Sequence, residues 1–194
     1  MQGETQAAPR ILVLGIGNIL WADEGFGVRA VEEFHRAYEL PPEVTLLDGG
    51  TQGLYLVNYL QEVDRLIVFD AIDYGLEPGT LKIVLDEELP KFAGAKKMSL
   101  HQTGFQEVLS AAELLGHALE KTVLIGCQPL DLEDWGGSLT PPVRDVIPAA
   151  IETARMILSE WGVECPARTQ HVDGLLGNDI DFAGYERRQP VAAN

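Results

Sequence analysis

Glu24, Asp70 and His101 are the residues of this 194-residue chain whose types and settings suggest joint chemistry. Each lies in a predicted loop or helix start that follows a short apolar run. When such runs are parallel strands, the loops at their carboxyl ends share one edge of the sheet, so residues distant in sequence meet there. Two carboxylates and one imidazole are adequate ligands for a divalent transition metal and leave a coordination position for water or substrate. His101 sits where a helix is predicted to begin. The positive end of that helix disfavours imidazolium and keeps the neutral ring available as a ligand. A blander reading fits the same residues: an acid at a helix start is commonly a cap, which suits Asp23 as well as Glu24, and a lone loop histidine is usually just exposed. Spacing alone leaves both open. His35 and His117 fall in predicted helices and His171 in the tail. No GxSxG elbow or Cys/His pairing points to nucleophilic catalysis.

The elements that must position these residues follow from apolar patterning. Short continuous apolar runs bounded by glycine or acids read as buried strands, here at 11–14, 44–47, 66–69, 80–85 and 121–125. Gly27, Ala30, Val31, Phe34, Ala37 and Tyr38 form a helical stripe, with Glu32, Glu33 and Arg36 off it, and Pro41-Pro42 ends the helix. Leu54, Val57 and Leu60 mark the inner face of a second helix. Ser99-Leu100-His101-Gln102 resembles a capping box ahead of Phe105, Val108, Leu109, Ala112 and Leu115. A last helix spans about 142–161, and Pro148 inside it predicts a kink or a later start. This alternation gives an α/β three-layer sandwich: a mainly parallel, twisted sheet of about five strands with helices on both faces. Residues 1–9 read as a loose leader, 10–165 as a single domain and 166–194 as a weakly structured tail.

Composition narrows the function classes. A formal net charge of −16 opposes nucleic acid and anionic membrane surfaces, and no apolar run approaches the roughly 20 residues of a membrane span. Cys127 and Cys165 match no zinc or redox spacing, in keeping with ordinary thiols in a reducing cytoplasm. Gly15-x-Gly17 after the first strand raises dinucleotide binding. The fingerprint's third glycine is replaced by Leu20, and no P-loop lysine follows. The two glycines then read as a tight turn out of the sheet.

The motifs Gly15-Ile-Gly-Asn-Ile-Leu-Trp-Ala-Asp-Glu-Gly-Phe-Gly-Val-Arg29, Asp48-Gly-Gly-Thr51, Asp70-Ala71, His101-Gln102 and Leu139-Thr-Pro141 together resemble the nickel–iron hydrogenase maturation endopeptidases, in order and across most of the chain. The resemblance implies a twisted sheet between helices. It also implies removal of a C-terminal peptide from the hydrogenase large-subunit precursor once nickel is inserted. By the same resemblance Glu24, Asp70 and His101 contact metal, and Asp48 is tied to activity or substrate recognition. The implied metal is nickel supplied by the precursor, though other divalent ions suit the site. The implied partner is that precursor, met by a monomeric, cytoplasmic enzyme. A precursor-binding chaperone without protease activity and a nucleotide-binding domain are the competing readings. Leu100 stands where relatives often have proline, and the tail is longer than in compact members.

Overall fold

A computed structural model describes residues 8–51, 53–85, 116, 118–176 and 180–186. Its strands are β1 (Ile11–Ile16), β2 (Val44–Gly50), β3 (Arg65–Ala71), β4 (Leu81–Leu85) and β5 (Lys121–Cys127). They form one sheet in the order β2-β1-β3-β5-β4. The first four are parallel, and β4 runs antiparallel to β5 at the edge. The helices are α1 (Phe26–Ala37), α2 (Val57–Leu60), α3 (Pro141–Glu160) and α4 (Phe182–Glu186).

Strand alternation divides the core in two. Ile11, Val13, Ile67, Phe69, Val123 and Ile125 meet Phe26, Ala30 and Phe34 of α1 and Val143, Ile147, Ala150 and Leu158 of α3. The intervening residues Leu12, Leu14, Leu66, Val68 and Leu124 face Leu56, Val57 and Leu60 on the other side. The expected mostly parallel α/β sandwich is therefore what the chain forms. The helix read from Leu54, Val57 and Leu60 is a 3₁₀ turn, Gly53–Leu56, continued by the single turn of α2. Helix α3 runs unbroken through Pro148, which lies on its exposed side. The capping box at 99–102 and the helix it was expected to start lie outside the described residues.

One close approach sets the position of α1. A Cβ placed on Gly27 would overlap the backbone carbonyls of Ile16 and Phe69, and one on Gly15 would overlap the carbonyl of Gly27. Helix and sheet thus touch backbone to backbone, which a side chain at either position prevents. The helix–strand contact that a third fingerprint glycine would provide is made at Gly27, so Leu20 is free to take another role.

The stretch after Pro166, expected to be weakly structured, is in its described parts bound to α1. Tyr38 pairs with Ala167 in an antiparallel bridge, and Arg168 donates from its backbone N–H to the Ala37 carbonyl and from its side chain to those of His35 and Tyr38. Glu32 and Arg29, polar residues of α1, are buried beneath it. Glu32 accepts from Arg29 Nη1 at 2.9 Å, from Arg36 Nη2 at 2.8 Å and from the Phe182 backbone N–H at 3.0 Å. Arg29 also donates to the Ile180 carbonyl at 2.7 Å, and Arg36 to Asp181 at 2.8 Å. Polar pairing supplies much of this docking, beside a buried Tyr185 and a core-packed Phe182, so apolar periodicity left it invisible.

Replacing Glu32 with alanine leaves Arg29 buried without its counter-charge. The expected loss is about 3–5 kcal/mol of stability, read by urea denaturation. Gly27→Ala is expected to cost at least about 3 kcal/mol, because backbone rather than a flexible side chain blocks the new methyl group.

Candidate active site

The site is assembled at the carboxyl edge of the sheet, beginning where β1 leaves it. Gly17 has φ +136, and a Cβ there would overlap the Glu24 carbonyl. That carbonyl accepts the Asn18 N–H at 3.2 Å, while the Glu24 N–H donates to Trp21 at 2.9 Å. The Asn18 side chain accepts the Leu20 N–H at 3.0 Å. The loop is thus folded back on itself, and Glu24 is presented on a 3₁₀ turn, Ala22–Gly25, directly above the strand exit. Ala22 has φ 36, a conformation that is sterically costly for a residue with a side chain and often found at functional turns.

Asp23 holds this turn in place. It does not cap α1, whose N-cap is Gly25 and has no side-chain cap. Its fully buried carboxylate accepts the N–H groups of Leu130 at 2.8 Å, Asp131 at 2.9 Å and Thr140 at 2.7 Å, and the Thr140 hydroxyl at 2.9 Å. Its own N–H donates to the Asp131 carbonyl at 3.1 Å. The loop after β5 is thereby fastened to the loop after β1. Trp21 and Trp135 add an edge-to-face contact, with centroids 4.9 Å apart. Gln128 makes the matching tie to the loop after β3: its Oε1 accepts the N–H groups of Tyr74 and Leu76, and its Nε2 donates to Asp73.

Asp70 lies on β3 opposite Gly126 of β5 and is 4% exposed. Burial pushes its carboxyl well above the usual carboxylate range. The Ala71 N–H pulls in the opposite direction, and the nearby charge of Glu24 raises it further. A buried acid beside a second acid suits a cation, which would favour the ionised form of Asp70. Tyr74 stands beside them. Its hydroxyl is close enough to Gly126 that a Cβ there would crowd it, and burial together with the charge of Asp70 raises its pKa.

Asp48 is placed differently. It pairs with Gly15 in the β1–β2 register, so alternation puts it on the α1 face, whereas Asp70 follows Leu66 and Val68 on the opposite face. Its carboxyl is half-buried and accepts the Gly50 N–H at 2.9 Å. Burial raises its pKa, the Gly50 hydrogen bond and the charge of Arg29 lower it, and Glu32 raises it. The Asp48-Gly49-Gly50 segment is part of β2 rather than a loop after it.

Of the expected ligands the structure brings Glu24 and Asp70 together, while His101 lies outside the described residues. Among the described residues no group of three His, Cys, Asp or Glu could hold a metal ion. No described helix is long and apolar enough to cross a membrane. Both cysteines are free and buried, and burial together with Asp23 pushes the Cys127 thiol up to about 12, which leaves it inert as a nucleophile at neutral pH.

The sequence profile of the hydrogenase maturation protease family HycI matches residues 28–157. The chain is 73% identical over 190 residues to a hydrogenase expression/formation protein, HupD, of Rhizobium leguminosarum bv. viciae, covering 96% of this chain and 94% of that one. It is 45% identical over 160 residues to the hydrogenase 2 maturation protease of Escherichia coli, covering 82% and 96%. Among solved structures, the hydrogenase maturating endopeptidase HybD from E. coli superposes with a TM-score of 0.77 at 44% identity, covering 82% of this chain and 98% of that one.

Asp23→Ala removes the acceptor for four donors at once. It is expected to cost on the order of 3 kcal/mol, read by urea denaturation. Asp48→Asn keeps the Gly50 hydrogen bond and removes a charge that the fold disfavours. A raised acid destabilises the native state above its usual pKa of about 4. The variant should therefore be at least as stable as wild type at pH 7, with any gain vanishing as pH falls and wild-type Asp48 takes up its proton, measured by thermal denaturation across pH.

Proposed function

Because the chain belongs to the hydrogenase maturation protease family, we propose that it cuts the C-terminal peptide from the precursor of a nickel–iron hydrogenase large subunit after nickel insertion, using Glu24, Asp70 and His101 to complete the coordination of the precursor's nickel. The observation that carries this reading is the pairing of Glu24 with the buried Asp70 at the carboxyl edge of the sheet. Both are acids, and one is held where an unpaired carboxylate is unfavourable. Two carboxylates and one imidazole are too few donors to close a metal shell, as suits a metal that arrives with ligands of its own. Bound nickel supplies either polarisation of the scissile carbonyl or a water acidified toward neutrality. The protein's part is to hold its ligands rigidly, and Asp23 and Gln128 do that by tying three strand-exit loops together.

Asp48, on the other side of the sheet edge, serves precursor recognition rather than metal contact. We place the enzyme in the cytoplasm as a monomer. A protease with a zinc ion of its own would cut nickel-free precursor, and a chaperone would bind precursor and cut none.

Purified protein mixed with nickel-loaded or nickel-free precursor, followed by mass analysis, separates these outcomes. Cleavage is expected with nickel-loaded material alone. Glu24→Ala, Asp70→Ala and His101→Ala should each lower the rate at least about 100-fold; normal rates in three folded variants would sink the assignment. Asp48→Asn should change which precursor is cut, or its KM, more than kcat.

A further inference from the structure

The loop after β5 carries an apolar patch beside the turn that presents Glu24. Trp135 is 63% exposed and Leu130 59%, and Trp21 stands half-buried at the edge of the same patch. The backbone holds all three. The two tryptophans pair in an antiparallel bridge, their rings meet edge to face, and the Gly136 N–H donates to the Leu20 carbonyl at 2.7 Å. Asp131 braces the approach to Trp135 by accepting the N–H groups of Glu133 and Asp134 at 2.8 and 3.1 Å. Leu130 is fixed through its N–H to Asp23, and the Trp21 carbonyl accepts the N–H of Glu24 itself. Leu132 of the same loop packs against the core, so the loop is anchored without Leu130 and Trp135. Exposed apolar surface that is already rigid loses little entropy when covered, and tryptophan is prominent among the residues that anchor protein interfaces.

The surround of this patch is acidic. Between Gln128 and Thr140 the chain has Asp131, Glu133 and Asp134 and neither lysine nor arginine. Among the described residues none of these acids is in an ion pair. An uncompensated acidic rim around exposed indoles favours basic side chains, whose charge meets the carboxylates and stacks on the rings. We propose that Trp21, Leu130 and Trp135 form a dock for the precursor protein, which lays on it an apolar side chain flanked by lysine or arginine. The assignment rests on the reading of Glu24 as a contact to the precursor's nickel: a protein that brings its metal to Glu24 comes to lie over Trp21, bonded to the same turn. The contact is made by the body of the precursor rather than by its nickel, so it persists when nickel is absent.

The test is calorimetric titration of the full chain with nickel-free precursor, which is bound without being cut. Saturable one-to-one binding is expected, weakened at least about tenfold in Trp135→Ala with an unchanged thermal midpoint. Leu130→Ser should repeat the loss at least about threefold without touching the tryptophan pair. Glu133→Lys should weaken binding at least about threefold, and so should raising salt from about 50 to about 500 mM with wild type. Met156→Ala, which removes an exposed apolar side chain of α3, is the control and should bind as wild type does. No binding by wild type, binding unchanged in Trp135→Ala and Leu130→Ser, or an equal loss in Met156→Ala overturns the dock. Indifference to both salt and Glu133→Lys overturns its basic occupant. Cleavage of nickel-loaded precursor is scored separately. Binding through Trp135 without any cleavage sinks the protease reading and leaves the dock standing, whereas cleavage with no role for Trp135 or Leu130 does the reverse.

Discussion

The backbone contact between α1 and the sheet is the constraint from which the rest of the structure follows. Gly15 and Gly27 let helix and strands approach until carbonyls leave no room for a methyl group. That distance fixes where α1 begins. The chain between Ile16 and Phe26 must therefore close a short path, and it does so by folding over Gly17. Glu24 is left at the sheet edge as a result, within electrostatic reach of Asp70. A larger separation would lengthen the loop and release the pair.

The loop after β5 converts that placement into rigidity. Asp23 clamps it at both ends, through Leu130 and Asp131 and through Thr140, and Gln128 ties its start to the loop after β3, so the exits of β1, β3 and β5 behave as one body. The strain at Ala22 is sustained by this same bracing. Thr140 illustrates how local rules yield to it. It stands at the N-cap of α3, yet it makes no side-chain cap, and both its hydroxyl and its N–H are given to Asp23. The Leu139-Thr140-Pro141 motif is thereby explained by a contact across the sheet edge.

On the far side of α1 the protein is held by charge. Glu32 gathers Arg29, Arg36 and the Phe182 N–H, which brings residues beyond 166 onto a helix face that looks solvent-directed in sequence. One surface of α1 therefore packs by apolar contact and the other by paired ions, and Arg29 connects the second surface to the turn that carries Glu24. Tail and site share one helix.

The order of strands and helices was legible in the sequence, because burial on both faces of a parallel sheet demands continuous apolar runs and amphipathic helices show their period. So was the shared edge for Glu24 and Asp70, since parallel strands place their exits together. The family motifs were legible as well, each being a contiguous stretch. Tertiary structure alone decided the rest. That Gly27 rather than residue 20 makes the close helix contact depends on how the loop folds. That Asp23 is a clamp rather than a cap depends on donors more than a hundred positions away. Asp48 and Asp70 look alike as acids ending strands, yet register and alternation turn them to opposite faces. The docking of 166–176 and 180–186 combines ion pairs and backbone hydrogen bonds with the burial of Tyr185 and the packing of Phe182, and so short a set of contacts has no periodicity to read. Sequence patterns record which residues leave water; they do not record which distant polar groups meet once they have.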